Sequence, residues 1–161
     1  MAQEPNSKLK FHAINVGLGF FDVNDKNSKD IGGVDFLADV TVSIGQNLIS
    51  ASYLTGSEIG ILDSSIYSFT EPSLSYGREW EIVNWFRLEG FAGLGCYIQR
   101  FEDKTIEGDQ NQDKTTLSVP FRINTKFYFT KAFGMGLNTN YSINSVNNNL
   151  TLNLLFHYKF N

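Results

Sequence analysis

The feature that most constrains the fold is an alternation of apolar and polar residues that persists over unusually long segments. Within 150–160, the even positions are apolar and the odd positions are mostly polar. The other segments with this alternation are 14–20, 34–44, 86–98, 117–129 and 133–143. A period of two indicates β-strands with one apolar face. Several of these segments are far longer than the roughly 5–6 residues usual for strands in soluble sheets.

Two weaker segments complete a set of eight predicted strands. Residues 49–53 form a short alternating stretch, whereas 66–76 carries apolar residues on both faces. The competing sets in the second segment are Ile66, Leu74 and Tyr76 against Tyr67 and Phe69. A β-bulge between them would reconcile the two sets, because it shifts the alternation by one residue. The longer segments match the about 9–11 residues that a tilted strand needs to cross a bilayer.

The predicted connections alternate between long and short along the chain. The long ones are 22–33, 55–65, 102–114 and, more modestly, 145–149. The short ones are 45–47 and 130–132, with 77–84 intermediate. Long loops on one side and tight turns on the other are typical of bacterial outer-membrane barrels. In such a barrel the long loops are extracellular and both chain ends lie on the periplasmic side.

The composition of the two faces predicts which one points inward. The polar face carries Gly, Asn, Ser and Thr with few charges, and these charges nearly balance. They are Asp35, Asp39, Glu71 and Glu89 against Arg87, Arg122, Lys126 and Lys159. A solvated face carries denser charge, whereas small residues and paired charges suit a crowded barrel interior. We therefore expect the apolar face to point outward to lipid, with a soluble lipocalin-like barrel as the alternative.

Three Gly-X-Gly pairs lie within the predicted strands. They are Gly17 and Gly19 in VGLGFF, Gly93 and Gly95 in AGLGCY, and Gly134 and Gly136 in FGMGLN. A phosphate-binding loop requires a strand-to-helix turn and a following helix, and neither is readable after any pair. We expect the glycines to face the lumen and to make room for side chains from facing strands.

Aromatic residues are predicted to gather at the two ends of the strands, as Tyr and Trp do at membrane–water interfaces. The group near the tight turns is Trp80, Trp85, Phe127, Phe129, Phe133, Tyr158 and Phe160. The group near the long loops is Phe20, Phe21, Tyr53, Tyr97, Phe101 and Tyr141. Two such groups would form a pair of girdles around the barrel.

The chain resembles the small eight-stranded OmpA/OmpX-like barrels, in the form common among Bacteroidetes-type outer-membrane proteins. The resemblance rests on the hairpin over 117–143 and on the last strand over 150–160. It implies a porin-like barrel in the outer membrane of a Gram-negative bacterium, in contact with membrane lipid and lipopolysaccharide. It also implies that the barrel-assembly machinery reads Phe156, Tyr158 and Phe160 as an assembly signal. In this chain Asn161 follows Phe160, a small departure from the terminal Phe of the group.

The expected architecture is an all-β, eight-stranded, antiparallel, up-and-down transmembrane β-barrel. Residues 1–8 form a tail and 9–161 a single barrel domain. The candidate site is a lumen charge network of Asp35, Asp39, Glu71, Arg87, Glu89, Arg122 and Lys126. Within it, Glu71, Arg87, Glu89 and Arg122 are expected to pair across the lumen as a plug. A narrow gated ion pore through this charged lumen is the alternative.

Catalysis, cofactors and nucleic-acid binding are not expected. His12 and His157 both fall near the tight turns, with His12 on the apolar side, so neither lies near a long loop. The single cysteine and two histidines show no metal-binding spacing. The net charge of -4 offers no basic field for nucleic acid. The expected role is structural, or surface interaction through the extracellular loops with an unspecified ligand.

Overall fold

A computed structural model of the chain describes residues 8–25, 30–58, 65–103 and 112–160. The described elements are all strands: β1 (Lys10–Asp25), β2 (Asp30–Ile44), β3 (Asn47–Glu58), β4 (Ser65–Val83), β5 (Phe86–Asp103), β6 (Gln112–Tyr128), β7 (Phe133–Asn144) and β8 (Asn147–Lys159). None of the described residues belongs to a helix long and apolar enough to cross a membrane.

The eight strands form one closed antiparallel barrel. Each strand pairs with its sequence neighbours, and β8 pairs with β1 to close the ring. The seam is long, running from Ala13 opposite Lys159 to Asp25 opposite Asn147. Closure leaves no unpaired strand edge among the described strands, which removes the usual template for aggregation. The predicted eight-stranded, up-and-down, antiparallel barrel is therefore confirmed.

The two ends of the barrel differ in their connections. We call proximal the end at which β1 begins, β8 ends and the tight turns lie. The β2–β3 turn there contains Gly45, whose φ of 64° is disfavoured for residues with a side chain. The opposite, distal end holds the other four hairpins. The predicted intermediate connection at 77–84 was wrong, because β4 continues to Val83 and only 84–85 link it to β5.

The strands reach further into the predicted long loops than the alternation indicates. β1 and β2 leave only 26–29 between them, and β7 and β8 leave only 145–146. The backbone ladder continues past the apolar band because its hydrogen bonds do not depend on side-chain polarity. The predicted loops at 22–33, 55–65 and 102–114 lie in part outside the described residues, at 26–29, 59–64 and 104–111.

The β4 strand keeps a single register with β5 across its central part. Thr70 lies opposite Ile98 and Ser73 opposite Gly95, so no bulge intervenes between them. The predicted bulge was wrong. The strand carries apolar residues on both faces within one register, some inside the barrel and others outside it. Tyr67 and Phe69 are buried inside the barrel, whereas Leu74 is exposed outside.

Apolar side chains cover the outside of the barrel and polar side chains line much of its inside. On β8, Leu152 and Leu154 are 53% and 45% exposed, while Thr151 and Asn153 between and beside them are fully buried. This distribution is the inverse of a soluble domain, where buried polar groups are the exception. The predicted orientation of the two faces is confirmed.

The structure agrees with one of the two predicted aromatic girdles and only in part with the other. All seven aromatic residues assigned to the tight-turn side are exposed on the outer surface. On the distal side, Phe20, Tyr53 and Tyr141 face outward. Phe21 and Tyr97 are instead buried in the lumen, and Phe101 packs against the same inner core. The distal girdle prediction was therefore wrong for half of its members.

The distal half of the lumen is filled by an apolar cluster. Its buried members are Phe21, Val23, Leu37, Leu54, Tyr67, Phe69, Tyr97 and Leu155. The Phe21 and Phe69 rings meet edge to face at 5.0 Å, and the Phe69 and Tyr97 rings stack at 5.4 Å. The Tyr67 and Tyr97 hydroxyls lie 2.7 Å apart and form a hydrogen bond inside the cluster. These side chains pack against one another inside the distal half of the barrel.

Close strand packing at Gly136 generates the first prediction. A Cβ at this position would lie 1.7 Å from the Thr125 carbonyl oxygen of β6. We expect Gly136→Ala to lower the free energy of unfolding by about 1–3 kcal/mol, because the backbone must shift to admit the methyl group. Urea unfolding of the folded barrel in lipid vesicles measures this change.

Gly32→Ala is the matched control. A Cβ there meets only the Phe21 carbonyl oxygen, at an ordinary 3.5 Å. Gly32→Ala should leave the free energy of unfolding within about 0.5 kcal/mol of that of the unchanged chain. Equal effects of the two substitutions would contradict the described β6–β7 packing.

Candidate functional site

The proximal half of the lumen is built around a fully buried ion pair between neighbouring strands. Lys126 Nζ of β6 lies 2.6 Å from Glu89 Oε1 of β5, and both side chains are 0% exposed. The other carboxylate oxygen, Glu89 Oε2, accepts a 2.9 Å hydrogen bond from Asn124. Both residues face inward because Glu89 pairs in register with Asn124, two positions from Lys126 on the same face. Both carboxylate oxygens of Glu89 therefore have a donor from β6.

A second ion pair spans the barrel from β6 to β2. Arg122 Nη1 lies 3.3 Å from Asp39 Oδ2, and its Nη2 donates a 2.7 Å hydrogen bond to Ser50. The guanidinium also lies over the Phe91 ring, 4.5 Å from its centroid. Asn15 donates to Asp39 Oδ1 at 2.7 Å. Arg122 thus ties together side chains from opposite walls of the lumen.

The proximal mouth holds a charged group organised around Glu79. Glu79 Oε1 lies 3.0 Å from Arg87 and 3.2 Å from Lys159. Arg87 also pairs with Glu81 at 2.8 Å. Glu79 is missing from the predicted network, because it falls in the segment read as a connection. Continuing the β4 alternation through 75, 77 and 79 would have placed it inside.

His12 lies inside the barrel, in contrast to its expected place on the apolar side. The β1–β2 register shifts between Phe11 and Ala13, and this irregularity turns His12 inward. Its Nε2 lies 3.1 Å from Glu79 and 3.5 Å from Glu89. This one-residue irregularity lies at the start of β1, where too few residues precede it for the alternation to show a shift.

His157 is held between two polar neighbours. Its Nε2 lies 2.6 Å from the Tyr128 hydroxyl, and its Nδ1 is hydrogen-bonded with the Asn15 side chain. The Tyr128 ring also meets the imidazole edge to face at 5.2 Å. These contacts orient the ring within the polar packing of the proximal half.

Asp35 and Glu71 lack a cationic partner among the described residues. Asn153 donates to Asp35 Oδ1 at 2.6 Å. Ser118 and Ser142 both donate to Glu71 Oε1, each at 2.5 Å. The predicted plug of Glu71, Arg87, Glu89 and Arg122 therefore does not form as one unit. Glu89 and Arg122 belong to two different ion pairs, Arg87 belongs to the Glu79 group, and neutral donors bind Glu71.

The six lumen glycines all lie at inner-face positions of their strands. Their missing side chains leave space either for neighbouring side chains or for the neighbouring backbone. Gly17, Gly19, Gly93 and Gly95 lie where a Cβ would meet inward polar side chains or the neighbouring strand. At Gly95, the nearest atom would be the Ser118 hydroxyl, at 2.6 Å. Gly134 and Gly136 instead lie against the β6 backbone. The first group brings polar side chains together, and the second brings strands together.

One cluster offers the donor types of a metal site. Ligand atoms of His12, Glu79 and Glu89 all lie within 4.8 Å of one another. The same two carboxylates already pair with Lys126, Arg87 and Lys159. A metal ion would have to displace these cations or bind beside them, so the cluster is better described as a neutralised ion network.

Comparison with known proteins identifies the architecture. No family model matches the sequence, and no curated protein matches it. Solved structures do match. Ail of Yersinia pestis is 18% identical over 94% of this chain and 99% of its own, with a TM-score of 0.67. The chain has the fold of the small eight-stranded outer-membrane β-barrels.

Two further structures support the same fold. The Neisserial surface protein NspA is 11% identical over 95% of this chain and 99% of its own, with a TM-score of 0.71. A second structure of Ail, in complex with the heparin analogue sucrose octasulfate, is 16% identical over 94% of this chain and 100% of its own. Its TM-score is 0.62. At sequence identities of 11–18%, the likeness to these structures establishes the fold alone. The role of this barrel has to be argued from its own residues.

The buried Glu89–Lys126 pair generates the second prediction. Lys126→Met should lower the free energy of unfolding by about 3–5 kcal/mol, because it leaves Glu89 as a buried charge without its partner. Glu89→Gln combined with Lys126→Met should cost less than the sum of the single changes. A double-mutant cycle on urea unfolding measures this coupling.

The exposed pair of Arg100 and Asp113 is the control. Its atoms lie 3.8 Å apart on an exposed part of the barrel, so its coupling should be within about 0.2–1 kcal/mol. Purely additive changes at Glu89 and Lys126 would show that the buried pair is not an energetic unit.

Proposed function

We propose that this chain is an integral outer-membrane β-barrel with a sealed lumen, which acts as a structural scaffold and presents its distal hairpins for surface interaction. The observation that carries the proposal is the inverted polarity of the barrel. Large apolar side chains are exposed all round the outside, and asparagines, serines and ion pairs are buried inside. In water such a surface would aggregate, whereas in lipid it is the stable arrangement.

The inner packing argues against a soluble ligand-binding barrel. A lipocalin-like barrel holds its ligand in an apolar interior. Here the proximal lumen is occupied by Arg122, Lys126 and their carboxylate partners. The distal lumen is occupied by the packed rings of Phe21, Phe69 and Tyr97. Together these side chains support a scaffold and leave little reason to propose an internal apolar ligand.

The same packing supports a closed lumen. An eight-stranded barrel has an interior just wide enough for its own side chains. The Glu79 group, the Arg122–Asp39 pair and the aromatic cluster lie at successive levels from the proximal to the distal end. An ion crossing the barrel would have to separate buried ion pairs and then pass a buried aromatic layer, and these side chains support a closed lumen over a pore.

The proximal end is proposed to face the periplasm. Its outer surface carries Trp85, Phe127 and Phe129 around an apolar groove of about 580 Å³, as expected of side chains at a membrane interface. Tyr158 of the last strand and Phe160 just after it are exposed on the same side. The Phe160 ring packs against Phe11 and Tyr158. This exposed aromatic edge fits the proposed recognition of β8 by the barrel-assembly machinery.

Surface interaction is proposed for the distal hairpins. The three longest predicted loops contain ten carboxylates and four lysines between them. A negative field of this kind favours neutral or cationic partners and repels polyanions. A sulfated ligand such as the heparin analogue bound to Ail is therefore a poor candidate for this chain. Lipopolysaccharide contact would need cations to bridge its phosphates to the acidic segments.

A charge placed on the outer face tests the membrane proposal. Leu154 is exposed near the middle of β8. Leu154→Arg should lower the free energy of unfolding in lipid vesicles by about 2–4 kcal/mol, because the guanidinium would lie near the bilayer midplane. Thr115→Arg, at the distal start of β6, should cost about 0–1 kcal/mol. If Leu154→Arg is neutral and the purified chain stays monomeric without detergent, the proposal fails.

Planar-bilayer recording tests the sealed lumen. We expect no channel events from the folded barrel, and none from Arg122→Ala, because the aromatic cluster closes the distal half independently. Heat-modifiable migration confirms in each case that a folded barrel was recorded. Discrete conductance steps from the unchanged chain would favour the gated-pore alternative, and their loss or enlargement in Arg122→Ala would place the gate at that pair.

A further inference from the structure

A pocket of about 660 Å³ lies at the proximal mouth, where β1 begins and β8 ends. Three lysines line it: Lys8 just before β1, Lys10 at the start of β1 and Lys159 at the end of β8. The rings of Phe11 and Phe160 line the same pocket. Cationic side chains and aromatic surface therefore meet in one place at the rim of the barrel.

Strand pairing holds the walls of this pocket together. Lys10 lies in register with Ser43 of β2, which also lines the pocket. The Phe160 backbone N–H donates a 2.9 Å hydrogen bond to the His12 carbonyl oxygen. The Phe11 and Phe160 rings meet edge to face at 6.2 Å. These contacts join the ends of β1 and β8, so the pocket is bounded by paired backbone on both sides.

The charges in the pocket do not balance. Glu79 is the one carboxylate in its described lining, and it already pairs with Arg87 and Lys159. Lys8 and Lys10 are exposed, and neither forms an ion pair with a residue that the structure describes. Two positive charges therefore remain without a partner at the mouth. A concave site with such an excess attracts anions.

The surface beside the pocket is apolar. Leu9 and Phe11 are 63% and 68% exposed, and Phe160 is 36% exposed. In the proposed orientation this surface lies at the periplasmic edge of the bilayer. Lysines at such an edge lay their stems along apolar surface and place the ammonium group among the headgroups. An anion that matches both parts of the site carries a phosphate joined to an apolar tail.

The two ends of the barrel carry opposite charge. The proximal rim exposes two further cations outside the pocket, Arg78 and Lys131. Arg78 is hydrogen-bonded with the neutral side chain of Gln46, and neither cation has an ion-pair partner in the described part of the chain. The predicted long loops at the distal end are instead rich in carboxylates. An anionic lipid is therefore attracted to the proximal end and repelled from the distal end.

We propose that the proximal pocket binds the phosphate headgroup of an anionic phospholipid in the periplasmic leaflet. Lys8 and Lys10 hold the phosphate oxygens, and the acyl chains lie on the outer wall beside Phe11 and Phe160. This inference rests on the proposed membrane location and orientation. A free phosphate ester shares the headgroup chemistry, but it has no apolar part to cover the exposed rings.

A lipid titration tests the proposal. Phosphatidylglycerol is added to the folded barrel in a non-ionic detergent, and bound lipid is counted by native mass spectrometry, with phosphatidylcholine as the neutral comparison. We expect phosphatidylglycerol to bind more tightly than phosphatidylcholine. The double variant Lys8→Gln/Lys10→Gln should weaken phosphatidylglycerol binding by about fivefold per lysine removed, because each lysine contributes independently to the attraction. Phosphatidylcholine binding should not change.

Arg78→Gln/Lys131→Gln is the matched control. It also removes two positive charges from the proximal rim, but neither residue lines the pocket. Its affinity for phosphatidylglycerol should stay close to that of the unchanged chain. An equal loss in both double variants would mean a diffuse field and would overturn the pocket as a site.

Two further arms distinguish a lipid from a soluble anion. Glycerol 3-phosphate carries the headgroup chemistry without acyl chains, and it should not displace phosphatidylglycerol at equal concentration. Phe11→Ala should weaken phosphatidylglycerol binding, because it removes apolar surface beside the headgroup. Binding of glycerol 3-phosphate as tight as that of the lipid would overturn the lipid assignment and indicate a site for free phosphate esters.

The proposed function and this inference fail in different ways. Heat-modifiable migration verifies that every variant is a folded barrel. A barrel that inserts into vesicles but shows no preference for phosphatidylglycerol over phosphatidylcholine would overturn this inference alone. A chain that stays monomeric without detergent would overturn both.

Discussion

The structure depends on the closure of the backbone hydrogen-bond ladder between β1 and β8. In lipid no water is available to satisfy backbone N–H and C=O groups, so a sheet can cross only as a closed barrel. The seam between Ala13 and Asp25 of β1 and the whole of β8 provides that closure. Once the ring is closed, each strand has one face toward the surroundings and one toward a narrow lumen. The outer face carries apolar side chains, and much of the inner face carries polar and charged ones.

The narrow lumen explains the uneven distribution of charge inside it. Eight strands leave space only for the chain's own side chains, so each large inward residue requires a small one opposite or beside it. Gly33 and Gly56 make room for the Phe21 ring, and Gly19 lets Asn153 approach Asp35. The proximal half is neutralised by pairs of opposite charge, and the distal half is filled by aromatic packing. Asp35 lies between Gly33 and Leu37 on the inner face of β2, and its Oδ1 accepts a hydrogen bond from Asn153.

Much of the fold could be predicted from the sequence, because strand faces repeat with a period of two and the barrel obeys this period almost everywhere. The inward placement of Glu89 and Lys126 follows directly from that alternation. His12 could not be placed, because a single irregularity beside Phe11 inverts the face of only a few residues. Glu79 was missed for a different reason, because its segment was read as a connection although the outward apolar series of Leu74, Tyr76, Trp80 and Ile82 continues past it.

The sequence by itself determined the number of strands, the direction of their apolar faces and most of the charges enclosed by the barrel. These are local properties, since alternation along one strand suffices to read them. Only the tertiary structure decided which charges meet. Arg122 reaches Asp39 across the lumen, and Arg87 turns to the rim to meet Glu79. Such pairs depend on the stagger of strands around the ring, a relation between distant segments that no single stretch of sequence contains.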